Sequence, residues 1–138
     1  MYKLILAIML TMPMTAYAGG IDCMAKAIYF ESRGGTDNDQ LAVAHTVQNR
    51  VKSKQFPNSV CSVVRQKSQF APHIRSGAAI REKSAWSKAK TLARKVISGS
   101  SRDFTGNSLY FHTPAVNPQW SNMFKVTYRN NQHIFYKP

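Results

Sequence analysis

Glu31 is the residue whose sequence surroundings most favour acid–base chemistry. It follows Ile28-Tyr29-Phe30 near the end of a predicted helix, and the helical face that it shares is otherwise apolar. Burial beside apolar side chains raises the pKa of a carboxyl group, and the negative end of a helix acts in the same direction. A carboxyl group that stays protonated near neutral pH can act as a general acid. The ordinary alternative is a surface glutamate that pairs with a cation such as Arg33 or Arg50.

The remaining acidic residues give little support for a second catalytic carboxylate. The sequence holds six acids: Asp22, Glu31, Asp37, Asp39, Glu82 and Asp103. Three of the aspartates lie where helices are predicted to begin, and aspartate is a common helix cap. Asp103 lies in a predicted turn, and Glu82 precedes a basic helix whose dipole favours a negative charge. The pattern therefore predicts chemistry that depends on one acid.

Two histidines lie in strand-like segments rich in aromatic residues. His112 follows Tyr110-Phe111, and His133 precedes Ile134-Phe135-Tyr136. These side chains can line a groove and donate hydrogen bonds to sugar hydroxyl groups, but two half-buried structural histidines are an equally good interpretation. His45 lies in an apolar helix and is expected to be structural. No histidine pair at metal-ligating spacing and no G-x-S-x-G motif occurs, so the sequence predicts neither a metal site nor a serine nucleophile.

The composition is that of one folded domain with a strong positive charge. The 138 residues are 43% hydrophobic, and nineteen Lys and Arg against six Asp and Glu give a net charge of +13. The apolar fraction argues against a wholly disordered chain, and the length fits one domain. No run of about twenty apolar residues occurs, so no full-length transmembrane helix is expected. The charge indicates either a well-solvated surface or attraction to an anionic polymer.

Residues 1–18 have the features of a secretory signal peptide. Lys3 precedes an apolar stretch over 4–14, and Ala16-Tyr17-Ala18 matches a signal-peptidase site, which predicts cleavage after Ala18. A buried first helix and an uncleaved membrane tether are the alternatives. The folded domain is then expected over 19–138, in a protein exported to the periplasm or secreted. For such a protein the anionic cell envelope is the expected partner, and a nucleic acid is not.

Export also changes how the two cysteines are interpreted. An oxidising compartment and an even count favour a disulfide between Cys23 and Cys61. Two buried thiols are the alternative. No further Cys or His stands near either residue at ligand spacing, so a zinc site is not expected.

The periodicity predicts four helices followed by three strands. Helices are predicted over 22–33, from Asp37 or Asp39 along an apolar face that ends at Val51, and over 59–66 and 84–98. Residues 67–83 show weak periodicity and are expected to form a loop. Strands are predicted over 109–112, 124–128 and 133–136, and the last two form a hairpin through 129–132. The order indicates an α+β domain, with N-terminal helices followed by a C-terminal β-hairpin region.

Five segments in order resemble the cell-wall hydrolases typified by the spore cortex-lytic enzymes. The first is Ala27-Ile28-Tyr29-Phe30-Glu31-Ser32-Arg33-Gly34, and the second joins Gln40-Leu41-Ala42-Val43-Ala44 to Val47-Gln48-Asn49-Arg50-Val51. The others are Phe56-Pro57-Asn58 with Val60-Cys61-Ser62-Val63-Val64 and Gln69-Phe70, then Thr105-Gly106 with Leu109-Tyr110-Phe111-His112, Val116, Pro118 and Trp120, and finally His133-Ile134-Phe135-Tyr136. They cover almost all of 19–138. Two departures are Gly35, where members of the family often carry an acid, and the stretch 71–79.

The resemblance implies a peptidoglycan-cleaving enzyme with a small lysozyme- or lytic-transglycosylase-like α+β fold. It places Glu31 at the catalytic acid of the Tyr-Phe-Glu-x-Arg-Gly motif. The side chains expected to bind the glycan strand are Tyr29, Gln69, Tyr110, His112, His133 and Tyr136. No cofactor is expected, and the expected state is a monomer.

A single acid favours lytic transglycosylation of the bond between N-acetylmuramic acid and N-acetylglucosamine. Glycosidases usually use two carboxyl groups, one of which activates water or attacks the sugar. A hydroxyl group of the sugar itself needs no second carboxylate, and its attack leaves a 1,6-anhydro-muramic end. The alternatives are a muramidase-type hydrolase that leaves reducing ends and a non-catalytic basic module that binds the envelope.

Overall fold

The structure, a computed structural model, describes residues 14–67 and 69–138 as helices followed by a small sheet. The helices are α1 (Met14–Ser32), α2 (Asp37–Lys52), α3 (Val60–Val64), α4 (Pro72–Ser76) and α5 (Lys83–Ile97). The strands are β1 (Tyr110–His112), β2 (Lys125–Arg129) and β3 (Ile134–Lys137), and a 3-10 helix over Gln119–Asn122 precedes β2. The predicted α+β class is confirmed. Most of the predicted signal peptide lies outside the described residues.

Helix α1 begins at Met14 instead of at residue 22, so Asp22 lies within the helix and does not cap it. Packing explains the longer helix, since Ile21 is buried and a Cβ atom at Gly20 would lie 3.9 Å from the side chains of Val60 and Ile97. The burial of Ile21 and the close packing of α1 on α3 and α5 offset the low helix propensity of glycine. The predicted cleavage after Ala18 falls within α1 and stays a prediction.

Thr36, and neither Asp37 nor Asp39, caps α2. The Thr36 hydroxyl accepts a hydrogen bond from the Asp39 N–H, so both aspartates lie in the first turn. The predicted caps are therefore wrong by one to three positions. The buried face of the helix includes Val43 and Val47, as its apolar spacing predicts.

The three remaining helices, α3, α4 and α5, all contact α1. Helix α3 is capped by Ser59 and is tied to α1 by the predicted disulfide between Cys23 and Cys61, whose Cα atoms are 5.1 Å apart. Helix α4 forms within the stretch predicted as a loop. It begins at Pro72, which suits a first helical turn, and its C-cap Gly77 has a φ of 70°. Helix α5 buries the apolar stripe Ala89, Leu92, Ala93 and Val96 against α1 and α2.

The three strands form an antiparallel sheet in the order β1-β3-β2. The predicted strands occur with bounds shifted by about one residue, and the β2–β3 hairpin is present. Phe111 pairs with Phe135, which is fully buried and packs against Ala42 and Val43 of α2. This contact fixes the sheet on α2 beside the end of α1. Within the described residues, no helix is both long and apolar enough to cross a membrane.

Candidate active site

An open cleft of about 360 Å³ lies where the end of α1, the start of α2 and the β2–β3 turn meet. Glu31 enters it from α1, Asp39 from α2 and His133 from the turn. The short connection between the helices makes this possible, because α1 ends at Ser32 and the Thr36 cap starts α2 four residues later. The chain thus reverses direction between the two helices, and the carboxylates of Glu31 and Asp39, which belong to different helices, line one cleft.

The carboxyl group of Glu31 is the candidate acid, and other protein atoms shield most of it from solvent. Burial raises the pKa of Glu31 above its usual value. Its Oε1 accepts a hydrogen bond of 2.6 Å from the Ala71 N–H, and this bond and the positive charges at His133 and Arg50 oppose the rise. Arg33 pairs with Glu82 instead, at 3.2 Å between Nε and Oε1. A carboxyl group in such an environment can give up a proton and then hold the resulting charge.

Asp39 is a fully buried carboxylate that fixes the orientation of His133. The Nδ1 of His133 lies 2.8 and 3.0 Å from the two carboxylate oxygens of Asp39, and Asn130 donates from Nδ2 to the same carboxylate at 2.9 Å. Because an ionised carboxylate only accepts hydrogen bonds, Nδ1 carries the proton. Asn130 also accepts from the backbone N–H groups of Gln132 and His133, which fixes the turn. The sequence pattern indicated Asp39 only as a possible helix cap and contained no signal for this contact.

Gly35 is one of the two departures from the family pattern, and its surroundings explain why glycine fits here. A Cβ atom at this position would lie 2.8 Å from Asp39 Oδ2 and 3.2 Å from the Ser32 carbonyl oxygen. Both distances are too short for a side chain to fit without a shift. The carboxylate beside the cleft is therefore contributed by Asp39, from the first turn of α2.

Arg50 is a second charged residue near the site, which the sequence indicated only as a possible partner of Glu31 in an ion pair. It is 2% exposed, and its Nε donates to the Leu109 carbonyl oxygen at 2.7 Å. Desolvation lowers the pKa of Arg50 to about 10, so the side chain remains a cation at neutral pH. A signal was present in the sequence, because Arg50 follows Val43 and Val47 on the spacing of the buried face of α2.

The predicted sugar-binding residues fall into separate groups. Tyr29 contributes to the cleft but is 2% exposed, and its hydroxyl accepts hydrogen bonds from the backbone N–H groups of Arg81 and Glu82. Its hydroxyl therefore holds the start of α5, which disfavours direct sugar binding. Gln69 is exposed on the segment that leads to Ala71. His133 is the one of the six that lines the Glu31 cleft with its ring held by a second side chain.

Tyr110, His112 and Tyr136 form an aromatic cluster on the sheet, apart from the residues that line the cleft. His112 stacks on Tyr136 with ring centroids 5.2 Å apart, and its Nε2 lies 2.8 Å from the Tyr136 hydroxyl oxygen. Trp120 packs against all three rings at 5.2 to 5.6 Å. Tyr110, His112 and Trp120 are half-buried and form an aromatic surface of the kind on which a sugar ring can stack, while Tyr136 is only 5% exposed and packs against them.

Residues 34–136 match the model of a protein family described as Cell Wall Hydrolase. This chain belongs to the cell wall hydrolase family. The predicted family resemblance is thereby confirmed, although the matched region begins three positions after Glu31.

Spore cortex-lytic enzymes are among the relatives of this cell wall hydrolase. The enzyme of Bacillus cereus is 33% identical over 120 residues, which are 85% of this chain and 44% of the relative. That of Oceanobacillus iheyensis is 33% identical over 96 residues, 68% of this chain and 32% of the relative. The chain therefore spans less than half the length of these curated relatives.

Two solved structures share the fold of this cell wall hydrolase. The catalytic domain of the Bacillus cereus SleB protein is 32% identical, with a TM-score of 0.73 over 87% of this chain and 91% of the other. The catalytic domain of the germination-specific lytic transglycosylase SleB from Bacillus anthracis is 34% identical, with a TM-score of 0.72 over 86% and 93%. This chain thus corresponds to almost the whole of each catalytic domain.

Proposed function

We propose that this chain is a peptidoglycan-cleaving lytic transglycosylase in which Glu31 is the single catalytic acid and base. The observation that carries the proposal is the Glu31 carboxyl group, held by the Ala71 N–H in an open cleft where burial raises its pKa. Membership of the cell wall hydrolase family and similarity to a structure described as a lytic transglycosylase support it.

In the first step, protonated Glu31 donates its proton to the oxygen that links N-acetylmuramic acid to N-acetylglucosamine. The bond between that oxygen and C1 of the muramic residue breaks, and the N-acetylglucosamine chain leaves with a free hydroxyl group. C1 becomes electron-deficient, while Glu31 becomes a carboxylate. The Ala71 N–H stabilises that carboxylate, since a hydrogen bond to the charged form favours it.

In the second step, the Glu31 carboxylate removes the proton from the 6-hydroxyl group of the same muramic residue. The oxygen of that group attacks C1 and closes the 1,6-anhydro ring, and Glu31 is protonated again. The nucleophile belongs to the sugar, so proximity replaces the activation of water by a second carboxylate. Neither step needs a cofactor.

Hydrolysis is the second candidate, because Asp39 lines the same cleft. The Asp39 carboxylate is fully buried and is occupied by His133 and Asn130, so it is not free to bind water itself. The Nε2 of His133 could accept a proton from a water molecule instead. The neutral ring has its proton on Nδ1, which leaves a lone pair on Nε2.

The glycan strand would extend from the cleft across the aromatic cluster of Tyr110, His112 and Tyr136. Stacked and hydrogen-bonding groups of this kind suit a polymer of amino sugars, and the exposed Gln69 offers a further amide at the segment before Ala71. Tyr29 has a structural role in this scheme. The protein would act as a monomer outside the cytoplasm after export, where the net charge of +13 attracts it to the anionic envelope.

The masses of the products test the proposed reaction. Purified peptidoglycan is digested with the full chain, and the released muropeptides are separated and weighed. We expect fragments that end in 1,6-anhydro-muramic acid, which lack the water molecule that hydrolysis would add. Fragments with reducing muramic ends would show a hydrolase, and intact sacculi that merely bind the protein would show a non-catalytic module.

A further inference from the structure

Arg50 is a buried cation whose charge is not balanced by a nearby carboxylate. Among residues 14–67 and 69–138, its Nη1 is buried without a hydrogen-bond partner, and its Nε donates to the Leu109 carbonyl oxygen. In the part of the chain that the structure describes, no carboxylate oxygen lies within 4.0 Å of its nitrogens. A buried, unsatisfied charged group is unfavourable for folding and calls for an explanation.

Aromatic rings surround the guanidinium group and offset part of that unfavourable free energy. Its central carbon lies 4.7 Å from the centroid of the Phe56 ring, 5.1 Å from that of Phe70 and 5.3 Å from that of Tyr110. Ring faces attract a cation, but each contact is weaker than a paired carboxylate would be. The site therefore holds a positive charge in place and leaves one nitrogen unpartnered.

The segment that packs on Arg50 is the same one that binds Glu31. Phe70 stacks on the guanidinium group, and the next residue, Ala71, donates its N–H to Glu31 Oε1 at 2.6 Å. The Arg50 cation and the Glu31 carboxyl group thus contact adjacent residues of one short segment. The positive charge of Arg50 is also one of the groups that favour ionised Glu31.

We infer that Arg50 is a positioning residue for Glu31, whose charge stabilises the carboxylate that forms when Glu31 gives its proton to the leaving sugar. Before the reaction, Glu31 is protonated and the cation is unbalanced. After proton transfer, the two opposite charges attract each other across a site of low polarity, where such attraction is strong. The stabilisation thus appears only as the reaction proceeds, which is what lowers a barrier. The inference rests on the proposed role of Glu31.

Four other charged or titratable groups line the cleft around Glu31, and one of them, the Tyr29 hydroxyl, is held at the start of α5. His133 faces it from the β2–β3 turn, Asp39 from α2 is paired with His133, and Arg33 from α1 is paired with Glu82. Arg33 and Asp39 each have a partner of their own, so Arg50 is the permanently charged cation that acts on Glu31. His133 remains in place when Arg50 is changed, and the two effects can be measured separately.

The test is the pH profile of peptidoglycan cleavage by the full chain with Arg50→Gln, compared with Arg50→Lys. Glutamine keeps a donor for the Leu109 carbonyl oxygen but removes the charge. Loss of the charge raises the pKa of Glu31, so the fall in activity at high pH should move upward by about one pH unit. The maximal turnover should fall about tenfold, with little change in KM. Lysine retains the charge and should leave the alkaline fall in activity near its wild-type position.

Arg102→Gln is the matched control, since Arg102 is exposed in the loop after α5, and its profile should equal that of the wild type. A folded Arg50→Gln variant with a wild-type profile would overturn the inference while leaving Glu31 as the catalytic acid. If the glutamine variant does not fold, the lysine variant decides, because an alkaline fall displaced by a full pH unit there contradicts a role that depends on charge. Undiminished cleavage by Glu31→Gln would instead refute the proposed function itself.

Discussion

Two opposing influences act on the pKa of Glu31, and both come from its immediate surroundings. Burial favours the protonated form, while the Ala71 N–H and the charges of Arg50 and His133 favour the carboxylate. The net pKa lies above the usual value, so the carboxyl group holds its proton to higher pH than a surface glutamate does. An acid that must also serve as a base needs such a balance, because either form in large excess would slow one of the two steps.

The Ala71 N–H can be removed without a change of side-chain charge. Ala71 has a φ of −49° and a ψ of 131°, close to values that proline adopts, so Ala71→Pro deletes the donor, and its Cδ atom takes the place of the hydrogen and pushes the Glu31 carboxyl group away. The pKa of Glu31 should then rise further, because a hydrogen bond to the charged form is lost. Glu31 must be protonated to start the reaction, so the alkaline fall in activity should move to higher pH and the maximal rate should drop.

The pH dependence of cleavage rate measures this effect, with Ala71→Ser as the control that retains the N–H. The serine variant should follow the wild type. An unchanged profile for a folded Ala71→Pro variant would mean that this hydrogen bond does not influence the reacting carboxyl group.

At the scale of elements, the β2–β3 hairpin is attached to α2 through buried polar contacts. Asp39 receives hydrogen bonds from His133 and Asn130, which are separated from it by more than ninety residues along the chain. Below them, Phe135 packs on Ala42 and Val43. The sheet thus closes one side of the cleft and presents His133 opposite Glu31.

Asp39→Ala should destabilise the protein by about 3 kcal/mol, because it leaves the buried donors of His133 and Asn130 without an acceptor. Asp37→Ala is a matched control two positions earlier in the same helical turn. Asp37 is exposed and forms a surface ion pair with Lys88, so its loss should cost less than about 1 kcal/mol. Urea denaturation of both variants measures the difference, and equal losses would contradict the role of Asp39 in holding the hairpin.

The sequence predicts the elements better than the contacts between them. Periodic apolar residues predicted α2, α5 and the hairpin. Each of these elements buries one face, and the spacing of the apolar residues on that face is visible along the chain. The predicted start of α1 was wrong, because the packing of this helix on α5 outweighs the low helix propensity of its two glycines. This is a tertiary effect that no local pattern reveals. Helix α4 was missed because five residues are too few to show a period.

In the candidate site, too, local features were predictable from the sequence and contacts between distant residues were not. The apolar helical face indicated Glu31, which the structure places in the cleft, although its catalytic role stays a prediction, and the cysteine count and export indicated the disulfide. The Asp39–His133 pair and the aromatic surroundings of Arg50 join residues far apart in sequence, so composition and spacing alone contain no signal for the pairing. An aspartate near the start of a helix is commonly a cap, and this local explanation concealed the long-range pairing of Asp39 with His133.

At the scale of the whole molecule, the dominant feature is the net charge of +13. The described acids are mostly engaged: Asp39 with His133, Asp37 with Lys88 and Glu82 with Arg33. The excess of Lys and Arg therefore produces a positive field that extends beyond the protein and attracts anionic polymers. Under the proposed function, this attraction brings the protein to the anionic envelope but does not by itself select a bond to cleave.

Binding to purified sacculi should weaken several-fold when the salt concentration rises from about 10 mM to about 1 M, since the screening length then falls from about 30 Å to about 3 Å. The Glu31→Gln variant is suited to this measurement, because it should bind without degrading the sacculi. A sedimentation assay of bound and free protein gives the result. Binding that is independent of salt would show that contacts within the cleft, and not the net charge, hold the protein on its substrate.

The most direct measurement of the central claim is the rate of muropeptide release by Glu31→Gln. Glutamine preserves the shape of the side chain but cannot donate a carboxyl proton, so the rate should fall by at least about 100-fold while the protein stays folded. Glu82→Gln, an exposed glutamate at the start of α5, is the control and should release muropeptides at nearly the wild-type rate. Release by a folded Glu31→Gln variant at the rate of the control would contradict the assignment of Glu31 as the catalytic acid.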